Sequence, residues 1–223
     1  MATRQVLAEL SSAYERRSGV STTVEAVGGV EAARRVQAGE PFDAVFLASD
    51  AIDKLIAGKS VVAGSKVDLF DSGVAVAVRA GGARPDISSE EALRQAVLAA
   101  RSIGYSTGPS GMALVQLFER WGIAAEVEGR MVQAPAGVPV GSLLPGGEVD
   151  LAFQQLGELM FLEGIDVIGP LPDSVQITTT FSGALCAASS QPDAVRLMLE
   201  FLASPEAAEA KRRNGMEPAR SGT

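Results

Sequence analysis

"YSTGPSGMALVQLF", residues 105–118, joins the end of an extended run to a helical apolar repeat through a turn of small and hydroxyl residues. The preceding "RSIGYS" (101–106) reads as a strand, and residues 110–121 repeat apolar side chains at helical spacing, so the unit is strand, turn, helix. A helix start leaves its first N–H groups without intrahelical acceptors and carries the positive end of the helix dipole. Ser106, Thr107 and Ser110 stand beside those donors, which suits an anion. Gly108 and Gly111 allow close approach to the backbone, and Pro109 fixes the turn. Two readings stay open at this point: the hydroxyls hold a ligand, or they only cap the helix. The stretch is not a nucleophile elbow, because Met112 stands where the second glycine of G-x-S-x-G belongs.

The same design recurs elsewhere. "VGGVEAARR" places Gly28 and Gly29 before a helix, "LASDAIDKL" places Ser49 and Asp50 after a buried strand, and "LAFQQLGEL" places Gln154 and Gln155 after another. Four such turns fit a ligand cleft at the carboxyl ends of two sheets.

Working outward, strands and helices alternate along the chain. Residues 3–17 read as a helix with Val6, Leu7, Leu10 and Tyr14 on one stripe, Thr3 as N-cap and Gly19 as stop. "STTVEAV" (21–27) reads as a strand, 28–39 as a turn and short helix, "FDAVFLA" as a buried strand, and the segment from Ser49 as a helix capped by that serine. "GVAVAVRAG" is a strong strand, "GGARPD" a breaker-rich turn, and "SSEEALRQAVLAA" a helix capped by Ser88 or Ser89. "AEVEGRMVQ" and "EVDLAFQ" read as strands, "VPVGSLLPGG" as a short helix with a glycine stop, and "IDVIGPLP" and "SVQITTTFSGALCAAS" as extended segments. Two helices close the chain, the second with Pro205 at N1 after Ser204. The expected fold is α/β, two lobes each built on a parallel-rich sheet flanked by helices.

Composition removes many functions. With no histidine among 223 residues, Ser-His-Asp and Cys-His catalysis, histidine-ligated zinc and a histidine general base are all excluded. The net charge is −8 and the 19 Lys and Arg are scattered, so no basic face suits nucleic acid. "AGKS" (57–60) lacks the first glycine of a Walker motif, which falls at Asp53, and "GGVEAARRV" lacks dinucleotide spacing. The lone Cys186 lies in an apolar run and reads as a buried structural thiol. No run of about 18 apolar residues exists, and the amino-terminal segment reads as an amphipathic surface helix without the features of an export signal. That leaves a cytoplasmic chain or one whose precursor segment is missing.

In order and spacing, "VGGVEAARRVQAGEPFDAVFLASDAIDKLI", "GVAVAVRAG", "IGYSTGPSGMALVQLFERWGI", "GEVDLAFQQLGEL" and "MLEFLASPEAAEAKRRNGMEP" resemble the type II periplasmic solute-binding proteins. Within them the chain is most similar to the molybdate-binding receptors of ABC transporters. The resemblance implies a two-lobed clamp closing on a small anion, with lobe 1 at 1–78 and 174–223 and lobe 2 at 79–173. It implies ligand contacts from Gly28, Gly29, Ser49, Ser106, Thr107, Gly108, Ser110, Gln154 and Gln155, no cofactor or metal, an ABC permease as partner and a periplasmic location. The hinge would lie where "DSGVAVAVRAG" and "SVQITTTFSGA" cross between lobes.

Three departures stand out. The strand that usually opens the family is not at the start of this sequence, so the first sheet lacks a central member unless upstream sequence, a partner chain or a rearrangement supplies it. An edge left open in that way invites a homodimer by strand exchange. Gly28 and Gly29 replace an expected serine, and Gln154 and Gln155 replace a common tyrosine, which opens a carboxylate or larger organic anion as an alternative to molybdate, with Arg4, Arg34 or Arg35 as counter-charge or as a solvated helix face. The chain is therefore read as a non-enzymatic binder of a molybdate-like oxyanion or small organic acid for uptake. The alternatives are an intracellular sensor domain and an isomerase or lyase acting on an organic acid, for which Asp50, Tyr105 and Glu158 are the candidate bases.

Overall fold

The computed structural model describes residues 2–220. Its elements are α1 (Arg4–Ser18), α2 (Gly29–Gln37), β1 (Ala44–Ala48), α3 (Ser49–Ala57), β2 (Val67–Arg79), α4 (Glu90–Ala99), β3 (Ile103–Tyr105) and α5 (Pro109–Arg120). There follow α6 (Ala124–Val127), β4 (Met131–Gln133), β5 (Leu151–Gln155), α7 (Leu156–Leu159), β6 (Ile165–Pro170), β7 (Thr178–Leu185), α8 (Pro192–Ala203), α9 (Ala208–Arg213) and β8 (Glu217–Pro218), with short 3-10 turns between some of them. The chain divides into two compact units, Met1–Ser72 with Thr179–Thr223, and Gly73–Thr178. Both crossings fall within strands, inside β2 and just after the first residue of β7.

In the first unit β1 pairs antiparallel with β7, and β8 pairs antiparallel with the start of β2. Helix α1 forms because Val6, Leu7, Leu10 and Tyr14 make one stripe, all buried, and Gly19 ends it in the left-handed region at φ 72°. That stripe packs with Leu69 and Phe70 of β2 and Leu199 and Leu202 of α8. A second cluster joins Val45 and Leu47 of β1 to Ile52 and Leu55 of α3. Thr3 sits at the N-cap position of α1 without a side-chain cap bond.

The strand expected over 21–27 does not form, and the chain there runs without regular structure, with Val20 and Val24 each 39% exposed. Its apolar alternation alone is not sufficient, because an extended segment becomes a strand only against a hydrogen-bonding neighbour. Among the pairings described, β1 takes β7 as its neighbour.

In the second unit the sheet runs β4-β3-β5-β2-β6, parallel across β4, β3 and β5 and antiparallel on both sides of β2. The sheets are thus mixed rather than parallel-rich, because β2 and β7 carry the chain between units and so meet their neighbours head to tail. Period-two alternation sends Val74, Val76 and Val78 of β2 into one core with Leu93, Ile103, Leu114, Phe118 and Phe153. Ala75 and Ala77 face a second core with Val140, Ala152 and Leu159. Of the two candidate caps of helix α4 it is Ser89 that serves, its side chain accepting from the Ala92 N–H. Residues 125–130, expected as part of a strand, are instead the end of α6 and a 3-10 turn, and only 131–133 pair as β4.

Candidate functional site

In the second unit β3 and β5 lie side by side and parallel, with Ile103 opposite Leu151 and Gly104 opposite Ala152. Their following turns therefore leave from one edge of the sheet, which brings Ser106–Ser110 and Gln154–Glu158 to the same end of this unit. The start of α5 has Gly108 at its cap position with no side-chain cap bond, and Pro109 follows. Gly111 and Met112 donate back to the Gly108 carbonyl. The hydroxyls of Ser106 and Ser110 lie 3.2 Å apart, and Ser110 is buried. Neither serine hydroxyl caps the helix, and both stand at a helix start whose dipole suits an anion.

Gly111 has a different role from the one expected. A Cβ there would stand 1.9 Å from the Ser106 carbonyl oxygen, so its missing side chain lets the helix close onto the turn rather than making room for a ligand.

After β5, Gln154 is buried and fully engaged: its Oε1 accepts from the Gly141 N–H at 3.2 Å and its Nε2 donates to Glu158 Oε2 at 2.9 Å. Burial raises the Glu158 carboxyl above the usual carboxylate range, and the Gln154 donor opposes that rise. Gln155 is also buried, and its Oε1 has no hydrogen-bond partner among the described residues. A buried acceptor of this kind costs free energy until something donates to it. The i, i+4 spacing of Gln154 and Glu158 in "QQLGE" was the legible sign of their contact.

In the first unit Gly28 caps α2 and Ala48 caps α3, neither with a side-chain bond. Ser49 is the first residue of α3 rather than its cap, and its hydroxyl donates to Asp68 Oδ1 at 3.4 Å, a carboxylate that also accepts from Ser182. A Cβ at Gly29 would lie 3.7 Å from Leu47 Cδ2, so Gly28, Gly29 and Ser49 gather at the carboxyl end of β1. Arg34 pairs with Glu31 at 2.6 Å, and Arg35 with Glu25 at 2.8 Å and Glu40 at 2.7 Å, so neither is a free counter-charge. Arg4 is exposed. Of the candidate bases, Asp50 is exposed and pairs with Lys54 at 3.5 Å, whereas Tyr105 is half-buried against the second unit's core. Cys186 is buried, and burial pushes its thiol up to about 11, which leaves it unreactive at neutral pH. Among the described residues no group of three acidic or sulfur ligands is arranged for a metal, and no helix is long and apolar enough to cross a membrane.

Two α/β units joined by a pair of crossing strands, with uncapped helix starts at strand ends, define a solute-binding protein of type II architecture. The chain belongs to the bacterial extracellular solute-binding protein family, whose model matches residues 1–217. It is 39% identical over 216 residues to an aconitate isomerase from Pseudomonas sp, covering 94% of this chain and 82% of that protein. Among solved structures it is similar to the Azotobacter vinelandii periplasmic molybdate-binding protein, at 16% identity and a TM-score of 0.80 over 98% of this chain and 96% of the other. It is also similar to L-phospholactate-bound PEB3, at 14% identity and a TM-score of 0.74 over 97% and 96%. The likeness to the molybdate-binding subfamily is one of fold.

Proposed function

We propose that this chain binds a small organic polycarboxylate of the aconitate type and moves its carbon–carbon double bond, with Glu158 carrying the proton. The observation that carries this reading is Glu158 itself, a carboxyl whose proton affinity burial raises and whose orientation Gln154 holds, at the sheet edge that also presents Ser106 and Ser110. A carboxyl shifted in this way holds its proton more readily than a free carboxylate, which suits a group asked both to take and to return one. The identity of 39% to a protein named an aconitate isomerase supports the substrate class, and it moves the weight from receptor towards enzyme.

Aconitate carries a methylene group next to both a carboxylate and the double bond. Ionised Glu158 removes one methylene proton, the electron pair spreads over the allylic carbons, and the protonated carboxyl returns the proton to the far carbon. One C–H bond breaks and another forms, the double bond shifts by one position, and nothing is oxidised or reduced. The chemistry needs neither histidine nor metal, in keeping with a chain that has no histidine. In this reading the hydroxyls and N–H groups of Ser106–Ser110 hold a carboxylate, and Gln155 meets a protonated oxygen of the ligand.

The second reading is a receptor that delivers the same kind of acid to an ABC permease outside the cytoplasm. The family and the uncapped helix starts favour it, since binding alone needs no carboxyl of raised proton affinity.

Two measurements separate the readings. A thermal-shift panel of molybdate, tungstate, sulfate, phosphate, citrate and the aconitate isomers should give a rise only with the organic acids, since a ligand at about 100 times its Kd adds ~2.7 kcal/mol. Proton NMR of cis-aconitate with the protein should show the trans isomer accumulating, and Glu158→Gln should slow this by about 10²–10⁴ while leaving binding within a few-fold. Binding without isomerisation supports the receptor, and a shift with molybdate and tungstate alone rejects both uses of an organic acid.

A further inference from the structure

Helix α9 contains three successive basic residues, and they are treated differently. Arg212 pairs with Glu217 at 3.0 Å and Arg213 with Glu9 at 2.7 Å, both at the surface. Lys211, between α9's small residues and these arginines, is only 1% exposed, and its ammonium has no hydrogen-bond or carboxylate partner among the described residues. Its one polar-type contact is with the Phe70 ring, 5.2 Å from Nζ to the centroid.

Lys211 lines a cavity of about 360 Å³ within the first unit, together with Lys66, Asp68, Leu69, Ala203 and Arg220. Lys66 is already engaged by Asp53 at 2.7 Å, and the Arg220 guanidinium has no carboxylate partner among the described residues. Asp68 is the one acid on the wall, and it is occupied by Ser182 and Ser49. Among the described residues the wall therefore carries two cations without an acidic partner, one of them buried. An unpaired buried ammonium is costly, and a ring face recovers only part of that cost.

We infer that this cavity is a second binding site, for a small carboxylate or phosphate anion whose oxygen pairs with Lys211 Nζ and whose outer face meets Arg220. None of the residues assigned above to aconitate lines it, so the two sites stand or fall separately. Burial holds Lys211 down to about 8, which leaves it mostly protonated at neutral pH and ready to pair. The cavity has room for several heavy atoms beyond one carboxylate or phosphate group.

The test follows the lysine side chains of the full chain by ¹³C NMR after reductive methylation, with inorganic phosphate and acetate titrated separately. A saturable shift of the Lys211 signal, with its titration midpoint raised by about 1–3 units, is expected for at least one anion. Phosphate alone or acetate alone assigns the headgroup, and both together define a general anion site. Lys211→Met should abolish the effect. Arg220→Ala, a change at an exposed residue that leaves the core intact, should weaken it several-fold, so the inference remains testable if the first variant folds poorly. A Lys211 signal that neither anion moves, or a response unchanged in Arg220→Ala, overturns it. Glu158→Gln should leave the response intact, which keeps this outcome apart from that of the isomerase assay.

Discussion

Gln154 bridges two groups, accepting from the Gly141 N–H with its oxygen and donating to Glu158 Oε2 with its nitrogen. The donor to Glu158 favours the ionised carboxylate and so limits how far burial raises its proton affinity. Gln154→Leu should therefore move the acidic limb of the isomerisation profile to higher pH, because the base stays protonated over a wider range. The same change strands the buried Gly141 N–H, at a cost of about 1–3 kcal/mol in denaturant unfolding. A limb that stays in place would show that Glu158 is not the titrating group.

Gly111 and Ser106 make the second prediction. Because an added Cβ would meet a backbone oxygen at 1.9 Å, no rotamer change relieves it, and Gly111→Ala must push the first turn of α5 away from the preceding turn. The expected loss is about 1–3 kcal/mol of stability, with weaker organic-acid binding by calorimetry because the Ser106–Ser110 geometry moves with it. Gly108→Ala has open space around its Cβ, with only Ser106 Oγ at 3.8 Å, and should cost far less stability.

These two glycines mark where the sequence stops being readable. Helix α1, with its buried stripe and Gly19 stop, and the Ser89 cap of α4 follow from local spacing, and the structure shows both. The strand-turn-helix units were legible for the same reason. What Gly111 packs against, how far Glu158 is buried and that Gln155 lacks a partner depend on which turns tertiary packing brings together. The strand expected over 21–27 failed on the same ground, since a strand's neighbour is not encoded within the strand. Lys211 was unreadable too, because "KRR" looks like a solvated helix face until packing buries one member over Phe70.

Ser89 supplies a control on these effects. Its side chain accepts the Ala92 N–H at 3.1 Å, remote in role from the proposed substrate contacts. Ser89→Ala should cost about 1 kcal/mol of stability in urea unfolding and leave binding of organic acids unchanged, whereas Ser110→Ala should reduce binding more than stability. If both variants lose affinity equally, the turn before α5 has no special part in recognition.

Lys211 gives the unfolding free energy a slope in alkaline solution. Burial lowers its folded-state pKa from 10.5 to about 8, so between those values the unfolded chain holds a proton that the folded chain has released. Stability contributed by this residue therefore rises with pH across that window, and below about pH 8 the folded state bears the full cost of the buried charge. At about 1.4 kcal/mol per unit, that cost is on the order of 3 kcal/mol. Lys211→Met, which keeps the apolar stem beside Phe70 and removes the charge, should be more stable than the parent at pH 7 in anion-free buffer. Its advantage should shrink towards pH 10, and saturating phosphate or acetate should narrow the gap at pH 7 if the anion pairs with the lysine. Urea titrations of both proteins at the two pH values would check this, and a difference independent of pH would show that Lys211 does not lose its proton on this scale in the folded state.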